Sequence, residues 1–206
     1  MRKILLFLLM LFLLPSVNAL YDNYVVCNNK TLDESILNND AMRFNATNTL
    51  WQLADTREVI VIYNLTAPTD NYENITLDGR LTGTLNGLAL NRSSYSNKYF
   101  WVTHLQHNAT YKLNASGNIT ENISLVGTGI VRPIGVDTID GSRLFILDKD
   151  QKRIYEIDNN SKVYSTVELD REATGSAEDF ALILNKSVIK GFAVVYTTGP
   201  QVAIFD

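Results

Sequence analysis

Past its first twenty residues the chain alternates apolar and polar positions with a period of two, and Gly, Asn or Asp interrupts the alternation every few residues. Residues i and i+2 of a strand project to the same side, so this rhythm predicts many short strands joined by tight turns. The stretch from Asn118 to Leu125 shows it well. Ile119, Ile123 and Leu125 fall on one face, and Asn118, Thr120, Asn122 and Ser124 on the other. Helical periodicity is nearly absent. Leu32 to Phe44 is the one stretch past the N-terminal apolar run that predicts a short helix, with Thr31 or Asp33 as its cap.

The alternating segments also resemble one another. Phe100 to Asn114 aligns without a gap over Leu144 to Asp158 at an offset of 44 residues, and the match runs on to Leu125 over Leu169. Phe192 to Asp206 fits the same frame at an offset of 48, and a looser copy runs from Val59 to Tyr63 and, after an insertion, from Tyr72 to Asp78. Each copy has an apolar strand, a polar turn and an alternating strand that closes on Asp or Asn. A repeat of about 40–45 residues with four strands is what a propeller blade requires. The expectation is therefore an all-β chain, a β-propeller of about four blades over residues 48–86, 87–125, 134–169 and 179–206, after an N-terminal segment at 20–47. The innermost strands are expected at 50–53, 88–90, 135–139 and 180–184, and the second strands at 59–63, 99–103, 144–148 and 192–196. The third strands should end at Asp78, Asn114, Asp158 and Asp206, with outermost strands at 81–85, 118–125 and 162–169. The last blade has three strands in this scheme. Tyr24, Val25, Val26 and Cys27 form a strand-like segment with no blade of its own, for which closure of that blade is the preferred expectation and donation to a second molecule or a partial propeller the alternatives.

Arg2 and Lys3, the apolar run Ile4 to Leu14, Pro15, and Val17-Asn18-Ala19 have the layout of a secretory signal peptide cleaved after Ala19. No later apolar run is long enough to span a bilayer, so the mature chain is expected to be free of the membrane. Without Arg2 and Lys3 the chain keeps 16 basic and 22 acidic side chains and no basic cluster, which argues against nucleic acid as a partner. Cys27 is the only cysteine, so no internal disulfide can form and stability must come from burial.

Export changes the meaning of the asparagines. Asn-x-Ser/Thr acceptors start at Asn29, Asn45, Asn64, Asn74, Asn91, Asn108, Asn114, Asn118, Asn122, Asn159 and Asn185. Chance pairing at this composition gives roughly three, so eleven predicts a glycoprotein, each occupied Asn lying at the surface.

The third repeat carries a further pattern. Pro133, Gly135, Val136, Gly141, Phe145, Asp148, Arg153 and Ile154 stand where an NHL-type propeller repeat has its own conserved-type residues, with Gln151 at the place of the usual Asn. The segment thus resembles that family over about forty residues. The resemblance implies a propeller, commonly of six blades in that family, and Asp148 and Arg153 would flank a strand-to-strand turn across which they could pair. In the second repeat the same places hold His104, His107 and Ala109. Related propellers serve mostly as binding platforms, and a minority are metal-dependent lactonases or lyases.

Candidate chemistry is sparse. His104 and His107, at a strand end and in a turn, read as surface residues with opposed projections rather than a metal pair. Asp137, Asp140, Asp148 and Asp150 read as turn carboxylates, lacking the oxygen run of a calcium loop. Trp51 and Trp101 read as core. Glu178 and Asp179, beside one predicted inner strand, and Asp137, within another, are the best available carboxylates for a metal in a central channel. No nucleophile elbow, phosphate loop or zinc helix is present, and no cofactor is expected. Three readings of function follow. The preferred one is an extracellular or cell-surface interaction module that binds a protein or glycan. The others are a filament subunit joined by strand exchange and a metal-dependent lactonase- or esterase-like hydrolase.

Overall fold

A computed structural model describes residues 39–45, 49–54, 58–64, 72–91, 99–169, 175–185, 188–196 and 202–205. Every regular element among them is a strand. The first sheet holds β1 (Asn39–Asn45), β2 (Thr49–Ala54), β3 (Val59–Asn64) and β4 (Tyr72–Thr76). The second holds β5 (Leu85–Leu90), β6 (Tyr99–His104), β7 (Ala109–Asn114) and β8 (Ile119–Ser124). The third holds β9 (Pro133–Thr138), β10 (Arg143–Asp148), β11 (Arg153–Asp158) and β12 (Val163–Glu168). The fourth holds β13 (Ala177–Asn185), β14 (Val188–Tyr196) and β15 (Val202–Phe205). In each sheet the spatial order follows chain order and each pair is antiparallel.

The sheets stack face to face, and the period-two alternation sorts side chains between neighbouring interfaces. Leu144 and Ile146 of β10 pack with Trp101 and Ala89 of the second sheet, whereas Phe145 and Leu147 pack with Phe180 and Val194 of the fourth. Phe100 and Val102 of β6 turn the other way, onto Trp51, Leu53 and Ile60 of the first sheet. A strand in a middle sheet is therefore buried on both sides, which explains why β6 and β10 read as nearly unbroken apolar runs. Outermost β12 alternates instead and is largely exposed.

Three turns carry the repeat at atomic detail. Glu58, Asn108 and Lys152 each close the turn before the third strand of a sheet, with φ of 53°, 43° and 52°. The carbonyl of each accepts the N–H of the leucine just past the outermost strand, Leu77, Leu125 and Leu169, at 2.9, 2.9 and 2.8 Å. These contacts fix the frame of the first repeat and correct the expected one by a full strand. Val59–Asn64 is a third strand rather than a second, and Tyr72–Thr76 is outermost rather than third. The innermost strand is β1, so residues 39–44 are extended where a helix was expected. Only Leu85 of the expected strand at 81–85 is in a strand, and it opens β5. The reason is long-range: β1 pairs with β2 from Asn39↔Ala54 to Asn45↔Thr49, and Ala41 joins the core between the first and second sheets. Local helix propensity loses to that pairing. The strands of the second and third sheets, and β13 and β14 of the fourth, fall where the repeat put them, and Asp206 lies outside the described residues. Tyr24 to Cys27 and Asn29 lie outside the described residues.

Candidate functional site

The innermost strands bring three charged side chains together. Asp137 is in β9, Asp179 in β13 and Arg43 in β1. The Arg43 guanidinium forks onto Asp179, with Nη1 donating to Oδ2 at 2.8 Å and Nη2 to Oδ1 at 3.0 Å. Nη2 also donates to the Val136 carbonyl at 3.1 Å and the Phe180 carbonyl at 3.0 Å. One side chain of the first sheet thus ties down the inner strands of the third and fourth. Planar bidentate geometry is what makes an Arg–carboxylate pair strong. Desolvation pushes the Asp179 carboxyl up and Asp137 adds to it, against the opposing pull of Arg43. The Arg43 guanidinium, held by that carboxylate, stays charged.

Asp137 is fully buried, and its oxygens accept backbone N–H groups on two sheets: Oδ1 that of Thr138 and Oδ2 that of Leu182, each at 2.8 Å. Glu178 sits at a register shift in β13 and pairs with Lys149, just past β10 of the third sheet. The structure therefore gathers Asp137 and Asp179 and separates Glu178 from them. Among the described residues no group of three or more His, Cys, Asp or Glu side chains is placed to hold a metal ion. Arg43 supplies the positive charge at this centre. Sequence reasoning passed over it because it lies within the predicted helix, 136 residues from Asp179.

Of the turn histidines, His107 is exposed as expected, whereas His104 departs from the expectation. His104 is fully buried, and its ring stacks on that of His107 at 3.7 Å and 7°. His104 Nε2 lies 3.0 Å from the Thr82 carbonyl, and its Nδ1 accepts the His107 N–H at 3.3 Å. The partners assign the neutral Nε2–H tautomer. Asp148 and Arg153 are register partners, but they do not pair with each other. Asp148 accepts N–H groups from Asp150, Gln151 and Val131, and Arg153 pairs with Glu168. Asp140 caps Ser142, whose hydroxyl and N–H lower its carboxyl. Trp51 and Trp101 are both core.

The sequons sort by environment. Asn64, Asn74, Asn118, Asn122 and Asn159 are exposed. Asn91 donates to the Asp140 carbonyl and Asn108 to the Ile130 carbonyl, both at 3.2 Å. Asn114 caps its own turn, its Oδ1 accepting the N–H groups of Ser116 and Asn118. Asn45 and Asn185 end β1 and β13.

Among solved structures, the nidogen/laminin complex matches with a TM-score of 0.51 at 16% identity, over 75% of this chain and 55% of that one. The chain folds as a β-propeller. Virginiamycin B lyase from Staphylococcus aureus bound to quinupristin is also similar, at a TM-score of 0.49 and 13% identity, over 81% of this chain and 55% of that one. Hydrazine synthase from Kuenenia stuttgartiensis matches at 0.48 and 10%, over 88% and 53%. The propeller thus spans about half the length of these structures. No protein-family model matches its sequence, and no curated protein is significantly similar.

Proposed function

We propose that this propeller is an exported glycoprotein that acts as a non-enzymatic interaction module at or outside the cell surface. The observation that carries the reading is the fate of the axial carboxylates. Both Asp137 oxygens accept backbone N–H groups, both Asp179 oxygens face Arg43, and Glu178 pairs with Lys149. Carboxylates engaged in this way hold sheets together, and a metal ion would have to displace those donors to bind. One of the similar folds is that of nidogen in complex with laminin, which supports a protein as the partner class.

The test is expression of the full chain in a eukaryotic host. Protein should accumulate in the medium and lose mass on enzymatic deglycosylation. The purified material, supplied with calcium, zinc or manganese, should hydrolyse a panel of lactones and esters no faster than buffer. Metal-stimulated turnover abolished by Asp137→Asn would overturn the reading in favour of a hydrolase.

A further inference from the structure

We infer that the mid-strand sequons at Asn74 and Asn122 are glycan acceptors, and that Asn108 is a structural asparagine that stays unmodified in the folded protein. The inference deepens the exported-glycoprotein reading and rests on it.

The corrected frame of the first sheet carries the argument. Val61 and Tyr111 are both third residues of a third strand, in β3 and β7. Val61 pairs with Asn74 and Tyr111 with Asn122. The two acceptors therefore occupy one register position on the outermost strands of adjacent sheets, and both side chains are exposed. The sequon hydroxyls match as well, since Thr76 pairs with Val59 and Ser124 with Ala109, and both are exposed. Position i+2 of a strand shares the face of position i, so Asn and hydroxyl stand on the same open side. The third sheet has Thr166 opposite Tyr155 at this position and no sequon.

Asparagine is depleted in strands, because its side chain competes for the backbone and favours turns. Turn chemistry therefore does not account for Asn74 or Asn122. It accounts fully for Asn108. That residue closes the β6–β7 turn at φ 43°, in the left-handed region that Asn tolerates better than most residues. Its backbone carbonyl accepts the Leu125 N–H, its Nδ2 donates to Ile130, and its Oδ1 is shut off from solvent. The hydroxyl of its own sequon, on Thr110, is also buried. A sugar on Nδ2 would have to part the β6–β7 turn from the crossover between β8 and β9.

Mass mapping after peptide N-glycosidase treatment in isotopically labelled water tests this directly. The full chain would be secreted from eukaryotic cells behind its own leader and, in parallel, behind a strong foreign leader. The peptides containing Asn74 and Asn122 should carry the label, and Asn74→Gln and Asn122→Gln should each lower the intact mass by one glycan. The Asn108 peptide of the soluble, folded fraction should be unlabelled, and Asn108→Gln should leave the mass of attached sugar unchanged. Label at Asn108, or none at Asn74 and Asn122, in protein from either leader would overturn the inference. Secretion by the foreign leader alone, with Asn74 and Asn122 labelled, would sink the export reading and leave the assignment of acceptors standing.

Discussion

His104 ends β6 where Asp148 ends β10, and the two side chains do the same work with different chemistry. Asp148 accepts the N–H of Gln151, three residues on, and reaches across to the N–H of Val131 in the crossover that leads into its sheet. His104 accepts the N–H of His107, three residues on, and donates to the Thr82 carbonyl in the crossover that leads into its own. The tie one turn later is also shared: Tyr155 hydroxyl with Gln151 at 2.6 Å, and Tyr111 hydroxyl with His107 Nδ1 at 2.9 Å. Only a neutral imidazole can both accept and donate in this way, since a protonated ring sets a second N–H against that of His107. Nitrogen-15 spectra of the imidazoles should find His104 as the Nε2–H tautomer. His104→Ala should cost about 1–3 kcal/mol for the partners left unsatisfied, read as a drop in the urea midpoint. Spectra placing the proton on Nδ1 would refute the assignment.

Arg43 is expected to be the most costly single charge to remove. Arg43→Met leaves the part-buried Asp179 carboxylate without its partner, a change of about 3 kcal/mol, the low end for a buried pair. Chemical denaturation followed by tryptophan fluorescence measures it, because Trp51 and Trp101 are both buried. Adding Asp179→Asn removes the stranded charge and should recover part of the loss. Equal stability of the Arg43→Met protein and the parent would show that the ion pair does not hold the inner strands.

Asp158 supplies a pH dependence with a definite sign. Its Oδ1 accepts the N–H groups of Lys162 and Asn160, and these bonds hold its carboxyl below the usual carboxylate range. Arg80 does the same to Asp78. A depressed carboxyl stabilises the fold fully above its unfolded value of about 4, and that stability is lost as pH falls through the folded value. Unfolding midpoints should therefore decline below about pH 4. Asn114 occupies the equivalent turn of the second sheet and accepts the same two N–H groups with an uncharged amide. Asp158→Asn should accordingly preserve the turn and flatten the acid side of the profile. A profile as steep as that of the parent would remove Asp158 from the account.

Gly117 and Gly127 separate backbone strain from collision. Both have a left-handed φ, +82° and +86°. Alanine at either place meets the same conformational penalty, roughly 1–2 kcal/mol. At Gly117 the new Cβ would also fall 2.1 Å from the Thr76 carbonyl oxygen, whereas at Gly127 nothing lies within 4 Å. Gly117→Ala should thus lower the melting temperature clearly more than Gly127→Ala. Equal shifts would mean that the first and second sheets do not meet closely at the β7–β8 turn.

The amino-acid order alone determined the strand-rich character, the 44-residue rhythm and the placement of the second, third and fourth sheets, because period-two alternation and turn residues are local properties. The self-match between residues 100–125 and 144–169 is visible for the same reason: those repeats have turns of equal length. Tertiary structure decided which strand of the first sheet lies innermost. Asn39–Asn45 carries two Asn, an Asp and an Arg, and its place in the sheet depends on pairing with β2, with Arg43 reaching a carboxylate 136 residues away. No local pattern encodes that distance. The sequons divide along the same line. Their spacing is legible in the chain, but the difference between Asn122 on an open strand and Asn108 inside a junction arises only when neighbouring sheets pack together.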